Sequence, residues 1–165
     1  MEDEIRKEDY RNFYELGKKL GKGSFGEVFE AKDKKTKELK AIKIIFIDDE
    51  EKIDIFMNEL KGMKICSHTN TNSNSVKVYE YFKYKKEFAI VMELCDDTLF
   101  NILERRKEPF KTEEIYEIIS QLNNTFKIMV KNGIVHRDIK LENILVKYED
   151  EEKKFYCKID RLWYK

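Results

Sequence analysis

Histidine and cysteine are scarce in this sequence, and each scarcity excludes a class of site. The 165 residues include only two histidines, His68 and His136, which excludes a histidine-rich metal site. The three cysteines, Cys66, Cys95 and Cys157, are odd in number and widely spaced, and none belongs to a C-x-x-C pair. This usage argues against a disulfide framework or a zinc cluster and favours a reducing compartment.

The sequence also lacks an excess of charge of either sign and any long hydrophobic run. Lys+Arg and Asp+Glu both number 33, so no global basic field attracts nucleic acid or an anionic membrane. The most apolar run, Ala41 to Ile47, is far too short to span a bilayer. Residues Met1 to Arg11 are charged and do not form a secretory signal. We therefore expect a soluble, cytoplasmic protein (or a nuclear one) with neither a nucleic-acid partner nor a membrane insertion.

What the sequence does contain is a change of hydrophobic periodicity along the chain. The first half alternates like half-buried strands and includes one helical stretch, marked by apolar residues at Ile53, Phe56, Leu60 and Met63. The second half is helical as far as Asn132-Gly133 and ends in two short strands. The order predicts an α+β fold. The predicted strands are Tyr14–Leu20, Glu27–Ala31, Leu39–Ile45, Val76–Phe82, Phe88–Leu94, Asn143–Lys147 and Phe155–Ile159, and the predicted later helices are Thr98–Arg106 and Thr112–Lys131.

Two segments carry more specific expectations. The run from Thr69 to Ser75 consists of Thr, Asn, Ser and no apolar residue, which predicts a surface loop. The long second helix has a wide apolar side, formed by Ile115, Ile118, Ile119, Leu122, Phe126 and Met129.

Residues Gly21-Lys22-Gly23-Ser24-Phe25-Gly26 form a G-x-G-x-x-G motif. Its glycines allow backbone N–H groups to approach phosphates closely. Dinucleotide-binding folds share this sequence pattern, but they require a helix after the last glycine. Here the residues from Glu27 to Ala31 alternate between polar and apolar, as in a strand. The motif alone is also compatible with an ordinary glycine-rich hairpin.

Two charged residues could serve a phosphate site beside that hairpin. Lys43 stands inside an apolar strand, where a lysine must reach the surface or meet an anion. Two strands and a turn would place it beneath the glycine motif. Glu59, on the following helix, is a candidate partner for Lys43, although a solvated helix glutamate is the common alternative.

The stretch His136-Arg137-Asp138-Ile139-Lys140-Leu141-Glu142-Asn143 lies between the long helix and a short strand. It brings an aspartate, a lysine and an asparagine within six positions of one loop. These residue types suit a base, a phosphate-directed cation and a metal-facing amide that act on one phosphoryl group.

Taken in order, the motifs resemble those of the protein kinase family: a glycine-rich loop, Ala41-Ile42-Lys43, a helix glutamate, and His-Arg-Asp with its downstream asparagine. The resemblance runs from about Phe13 to Ile159. It implies a two-lobed fold, in which an antiparallel N-lobe sheet with one helix occupies about 13–94. The first part of a helical C-lobe then occupies about 95–165, and residues 1–12 are an N-terminal extension.

The resemblance implies an ATP site and assigns its residues. Gly21, Gly23 and Gly26 cover the phosphates together with Lys22, Ser24 and Phe25, while Leu20, Val28 and Ala41 enclose the adenine. Lys43 contacts the α- and β-phosphates and is held by Glu59. Glu93 to Cys95 form the hinge between the lobes, and Met92 guards the pocket behind it.

The same resemblance implies the roles of the catalytic loop. Asp138 orients the substrate hydroxyl and accepts its proton, Lys140 faces the γ-phosphate, and Asn143 holds a magnesium ion. His136 packs the loop. A lysine at position 140 is similar to the branch of the family that phosphorylates protein serine and threonine.

The sequence departs from the family pattern after the last predicted strand. Where the family has Asp-Phe-Gly, whose aspartate binds magnesium, this chain has Asp160-Arg161-Leu162, and the aspartate's place falls on Arg161 or, after a one-residue deletion, on Asp160. A truncated gene model, a frameshift or a diverged pseudokinase would each explain this. The primary hypothesis is an ATP- and Mg²⁺-dependent serine/threonine protein kinase in truncated form, and the 165 residues alone are expected not to phosphorylate protein. The alternative is an inactive, pseudokinase-like nucleotide-binding or scaffold module.

Overall fold

The computed structural model describes residues 5–23, 26–47, 49–68, 74–149 and 155–160. They fall into two units. Unit 1 comprises Met1–Leu60 with Lys77–Leu94, and unit 2 comprises Lys61–Val76 with Cys95–Lys165.

Unit 1 is built on a mixed sheet of six strands, which confirms the strand-rich first half. The strands are β1 (Ile5–Arg6), β2 (Tyr14–Gly23), β3 (Gly26–Asp33), β4 (Leu39–Phe46), β5 (Val78–Tyr84) and β6 (Glu87–Glu93). Their order is β1-β5-β6-β4-β3-β2, and every neighbouring pair is antiparallel except β1 with β5. The predicted helix is also confirmed as α1 (Glu50–His68), which begins in unit 1 and ends in unit 2.

The segment ahead of β2 belongs to the core of unit 1. Tyr10 lies in a single 3-10 turn and is only 1% exposed. The Arg6 guanidinium lies 3.9 Å from the centroid of the Phe13 ring and donates to Glu80 at 2.9 Å. The Tyr14 hydroxyl donates to the same carboxylate at 2.6 Å. The first residues thus close one edge of the sheet and fill space beneath it.

Replacing Tyr10 with alanine should lower the free energy of unfolding by about 3–5 kcal/mol, the usual cost of removing a buried aromatic side chain. Tyr10→Phe is the matched control. The buried Tyr10 hydroxyl has no hydrogen-bond partner in the described part of the chain, so its removal should leave stability unchanged or higher. Urea unfolding measures both variants, and equal losses would show that the ring is not the stabilising group.

Unit 2 contains the end of α1, two further helices and a small antiparallel sheet. The helices are α2 (Leu99–Arg106) and α3 (Thr112–Lys131), and the strands, in sheet order, are β7 (Asp97–Thr98), β8 (Ile144–Tyr148) and β9 (Phe155–Ile159). The Thr98 hydroxyl caps α2 by accepting from the Asn101 N–H at 3.0 Å. The core of this unit is formed by Leu99, Ile118, Leu122, Ile144, Val146, Cys157 and Ile159.

The buried face of α3 is narrower than its apolar side. Ile118, Leu122 and Met129 are buried, whereas Ile115 is 45% and Ile119 is 57% exposed. The buried positions follow one helical stripe, and the two exposed isoleucines lie beside it. No helix in the described ranges is both long and apolar enough to cross a membrane.

The predicted surface loop over Thr69 to Ser75 is wrong at its last residue. Residues 69–73 lie outside those that the structure describes. Ser75 is 5% exposed, and its hydroxyl donates to the Cys66 carbonyl at 2.9 Å. Its backbone forms a parallel bridge with Ile159. Polar side chains that bond the backbone are compatible with burial, which composition alone does not reveal.

Candidate active site

The glycine motif lies in a hairpin, as predicted, because β2 and β3 are antiparallel and pair Gly21 with Val28 and Gly23 with Gly26. A strand, not a helix, follows the last glycine, which excludes the dinucleotide-binding arrangement. The tip residues Ser24 and Phe25 lie outside those described. Lys22 is exposed, with its ammonium 3.8 Å from Glu27.

Gly26 and Gly21 of the hairpin differ in how much space surrounds their backbone. Gly26 has φ +151°, and a Cβ there would lie 2.1 Å from the Ile44 carbonyl oxygen. A side chain at position 26 would therefore collide with the backbone of β4. A Cβ at Gly21 would meet nothing within 4 Å, so this position leaves open space beside the backbone. Open space of this kind is what a ligand needs to approach main-chain N–H groups.

Lys43 lies on β4, in the same cross-strand row as Gly21 and Val28 of the glycine hairpin. Register pairs Gly21 with Val28, Val28 with Lys43, and Lys43 with Ile90, so the lysine is two strands from Gly21, about 10 Å away. Lys43 is only 3% exposed. A buried ammonium requires an anionic or polar partner. Glu59, its predicted partner, lies on α1, but its side chain is outside those described.

The residues expected around adenine lie on the same strands. Ala41 and Met92 are direct partners on β4 and β6 and are 5% and 3% exposed. Val28 is half-buried, and Leu20 is 43% exposed. Glu93 accepts a hydrogen bond from the Lys77 N–H at 2.6 Å and donates its own N–H to the Lys77 carbonyl at 2.9 Å. The boundary between the units falls between Leu94 and Cys95, inside the predicted hinge, and Cys95 is half-buried.

In unit 2, His136 organises the loop after α3. The imidazole is 7% exposed and its Nε2 lies 2.7 Å from the Asp160 carbonyl oxygen, while its Nδ1 accepts from the Asp138 N–H at 3.3 Å. A carbonyl only accepts, so Nε2 is the donor in this contact. Between them, Arg137 has a left-handed φ of 68°. This uncommon conformation at a non-glycine residue is typical of functional loops.

Asp138 is the convergence point of the loop. Its Oδ2 lies 3.0 Å from the Lys140 ammonium and accepts from the Asn143 amide at 3.0 Å. These contacts, the lysine's first and the asparagine's after it, hold the pKa of Asp138 below its usual range. The side chain is 33% exposed. It is therefore an ionised carboxylate, anchored on one side and open to solvent on the other.

Asn143 is fixed by the same contacts and is only 3% exposed. Its amide nitrogen also donates to the Asp138 carbonyl at 2.8 Å, so its Oδ1 is the atom left to accept. Asp160 is half-buried, and its N–H donates to the Asn143 carbonyl at 2.9 Å. The fold thus brings a neutral amide oxygen and a carboxylate-bearing residue to one place.

Residues 14–159 match the protein kinase domain. The chain belongs to the protein kinase family. The matched range includes the glycine hairpin of unit 1 and the Asp138 loop of unit 2, and both the predicted family and the predicted α+β fold are confirmed.

Individual kinases are similar to this chain along most of its length. Calcium-dependent protein kinase 5 of Plasmodium berghei is 36% identical over 143 residues, which is 86% of this chain and 25% of that protein. Cyclin-dependent kinase-like 1 of Caenorhabditis elegans is 34% identical over 142 residues, 85% of this chain and 39% of the relative. Cyclin-dependent kinase-like 4 of Mus musculus is 32% identical over 135 residues, 81% and 38% respectively. The chain spans between a quarter and two-fifths of the length of these kinases.

The magnesium that kinases use fits the residues of unit 2. Mg²⁺ prefers oxygen ligands and binds through one or two protein groups plus substrate phosphates. Asn143 Oδ1 and the Asp160 carboxylate would hold it. Across the described ranges no group of three or more His, Cys, Asp or Glu residues could hold a metal ion.

Two residues near this site were missed in the sequence. Asn74 and Gln121 bond the backbone of β9, the strand that leads to Asp160. Asn74 lies in the segment predicted to be a surface loop, and Gln121 adjoins the apolar side of α3. An amide carries no periodic signal, so only its tertiary contacts reveal its position.

Proposed function

We propose that this kinase-family chain binds ATP with Mg²⁺ and supplies the catalytic loop for transfer of the γ-phosphoryl group to serine or threonine hydroxyls of proteins. The observation that carries the proposal is the Asp138 cluster. An ionised carboxylate, partly open to solvent, stands 3.0 Å from an ammonium and is anchored by a buried amide.

The chemistry follows from what each group can do. Asp138 is deprotonated, so it orients a substrate hydroxyl and accepts its proton as the oxygen attacks the γ-phosphorus. The bond from that phosphorus to the bridging oxygen of ATP breaks, and ADP leaves with the bonding electron pair. The Lys140 ammonium neutralises charge on the transferred group, and its own partner is that same carboxylate. Lys43 binds the phosphates in unit 1. Bound Mg²⁺ would neutralise phosphate charge and align the group for in-line transfer.

We propose the same boundaries as the sequence predicts: an N-lobe over about 13–94 and the start of a C-lobe over about 95–165.

The rival function is a catalytically inactive nucleotide-binding or scaffold module. The observation in its favour is Asp160-Arg161-Leu162, where the family has Asp-Phe-Gly. Two measurements separate the functions: nucleotide affinity with and without Mg²⁺, and transfer from γ-labelled ATP to serine/threonine peptides with tyrosine peptides as the comparison. Binding without transfer, in the chain and in any longer protein that contains it, favours the scaffold.

The lowered pKa of Asp138 provides a test that needs no activity. Removing the ammonium with Lys140→Met should raise the pKa of Asp138 toward the ordinary aspartate value, because the lysine contact is the largest cause of the shift. Titration of the ¹³C carboxyl resonance by NMR measures the change. Lys147→Met, which removes an ammonium 3.3 Å from Asp96, is the matched control and should leave Asp138 unaffected. An Asp138 titration that is identical in both variants would contradict the assigned geometry.

A further inference from the structure

Strand β9 is an edge strand of the three-stranded sheet, and most of the backbone groups along its free edge are hydrogen-bonded. In its antiparallel pairing with β8, alternate residues direct their backbone N–H and C=O groups away from the partner strand. On β9 these are Phe155, Cys157 and Ile159. An exposed edge normally leaves such groups to solvent. Here the Phe155 carbonyl and both backbone groups of Cys157 and Ile159 have hydrogen-bond partners within unit 2.

One amide side chain covers the beginning of this edge. Gln121, on α3, donates from Nε2 to the Phe155 carbonyl at 3.2 Å and accepts from the Cys157 N–H at 2.8 Å through Oε1. A side-chain amide presents one donor and one acceptor, as a backbone peptide does. Gln121 therefore replaces part of a neighbouring strand.

Asn74 covers the end of the same edge. Its Nδ2 donates to the Cys157 carbonyl at 2.8 Å. Its own carbonyl accepts from the Ile159 N–H at 2.8 Å, and the Val76 N–H donates to the Ile159 carbonyl at 3.1 Å. Cys157 and Ile159 are 0% and 1% exposed, so these bonds are shielded from water. Asn74 thus bonds β9 at two successive outward-facing residues.

The residue that follows β9 is Asp160, which is held from the other side by the catalytic loop. Its N–H donates to the Asn143 carbonyl at 2.9 Å, and its carbonyl accepts from His136 at 2.7 Å. Its place relative to Asn143 therefore depends on where β9 ends. The two β9 residues that Asn74 bonds, Ile159 and Cys157, lie one and three residues before Asp160.

We infer that Asn74 is a positioning residue for Asp160. Acting through the backbone of Cys157 and Ile159, it fixes the end of β9 so that the Asp160 N–H stays bonded to the Asn143 carbonyl, which keeps the two candidate metal-holding residues together. The consequence for metal binding rests on the proposed function, whereas the positioning itself does not. Loss of one shielded hydrogen bond corresponds to a change of about two- to tenfold in an equilibrium constant.

The decisive variant is Asn74→Asp, which keeps the shape but replaces the donor with a carboxylate facing the Cys157 carbonyl. Asn74→Ser removes the donor without adding charge and serves if the first variant does not fold. Asn123→Asp makes the same chemical change at an exposed position of α3 and is the control. Two quantities are measured: amide hydrogen exchange at Ile159 and Asp160 by NMR, and Mn²⁺ affinity by electron paramagnetic resonance with a non-hydrolysable ATP analogue.

We expect both Asn74 variants to speed exchange at these two amides about two- to tenfold and to weaken Mn²⁺ binding by a similar factor, with metal-free analogue affinity unchanged. Asn123→Asp should change neither quantity. Unchanged exchange in the Asn74 variants overturns the inference. If the parent chain shows no analogue-dependent Mn²⁺ binding, the proposed metal role fails, and the exchange rates still decide whether Asn74 positions Asp160. Faster exchange with unaltered Mn²⁺ affinity overturns its link to the metal.

Discussion

Asp138→Asn should reduce phosphoryl transfer at least about a hundredfold, because a positioned general base contributes roughly 10²–10⁴ in rate. ATP affinity should stay within about twofold, since the contacts of Asp138 are with Lys140 and Asn143 of its own loop. Asparagine is isosteric, and its amide oxygen still accepts from both neighbours. The change therefore removes the base and leaves the loop in place.

The measurement is single-turnover transfer from γ-labelled ATP, made with whichever form transfers phosphate, the chain or a longer protein that contains it. Asp96→Asn is the control, because Asp96 is an aspartate of the same unit that bonds Lys147 and the Tyr148 N–H, away from the loop. It should keep nearly full activity. A robust rate with Asp138→Asn would remove Asp138 from the chemistry, and an equal loss with Asp96→Asn would point to a fault in folding.

The fold was predictable where its determinants are local. The ends of α3 follow from apolar recurrence and from the Thr112-Glu113-Glu114 start, and the Glu114 carboxylate accepts from the Lys111 N–H at 2.7 Å. The glycine hairpin follows equally from alternation on both of its sides. Hydrophobic periodicity and helix capping depend on residues a few positions apart, so a single sequence is enough to predict them.

Long-range partners were not predictable in this way. The residues around Tyr10 in the sequence give no sign that its ring is buried in the core of unit 1. The strand that pairs with β1, ahead of Tyr10, is β5, which begins far along the chain at Val78. Ile115 and Ile119 have the same apolar character as Ile118 yet remain exposed, because burial depends on what packs against the helix. Hydrophobic pattern defines a candidate face, and tertiary packing selects part of it.

The candidate site shows the same division. Asp138, Lys140 and Asn143 meet because one tight loop holds them within six positions, so motif spacing was enough to group them. Asn74 and Gln121 are 83 and 36 residues from Cys157, the residue that both of them bond. No local rule relates positions so far apart. Residues that support the candidate site from distant positions are therefore visible only in the folded structure, whereas the motif groups the candidate reactive residues by sequence alone.

Lys43→Met should weaken ATP binding about ten- to a hundredfold, the loss expected when a charge-assisted contact worth roughly 1.5–3 kcal/mol is removed. Methionine has a similar length and suits a position that is only 3% exposed, so the strand should remain packed. Lys32→Met makes the same change at an exposed position of neighbouring β3 and should leave affinity unaltered.

Isothermal titration with ATP measures both variants, and thermal melting without nucleotide checks that each is folded. Lys43 is buried and lies two strands from Gly21 of the glycine hairpin, where a phosphate that approaches Gly21 would come within reach of its ammonium. Exposed lysines near the hairpin, such as Lys22, would contribute less because solvent screens them. If a folded Lys43→Met protein binds ATP as tightly as the parent, the phosphates do not lie over β4 and the nucleotide site must be placed elsewhere.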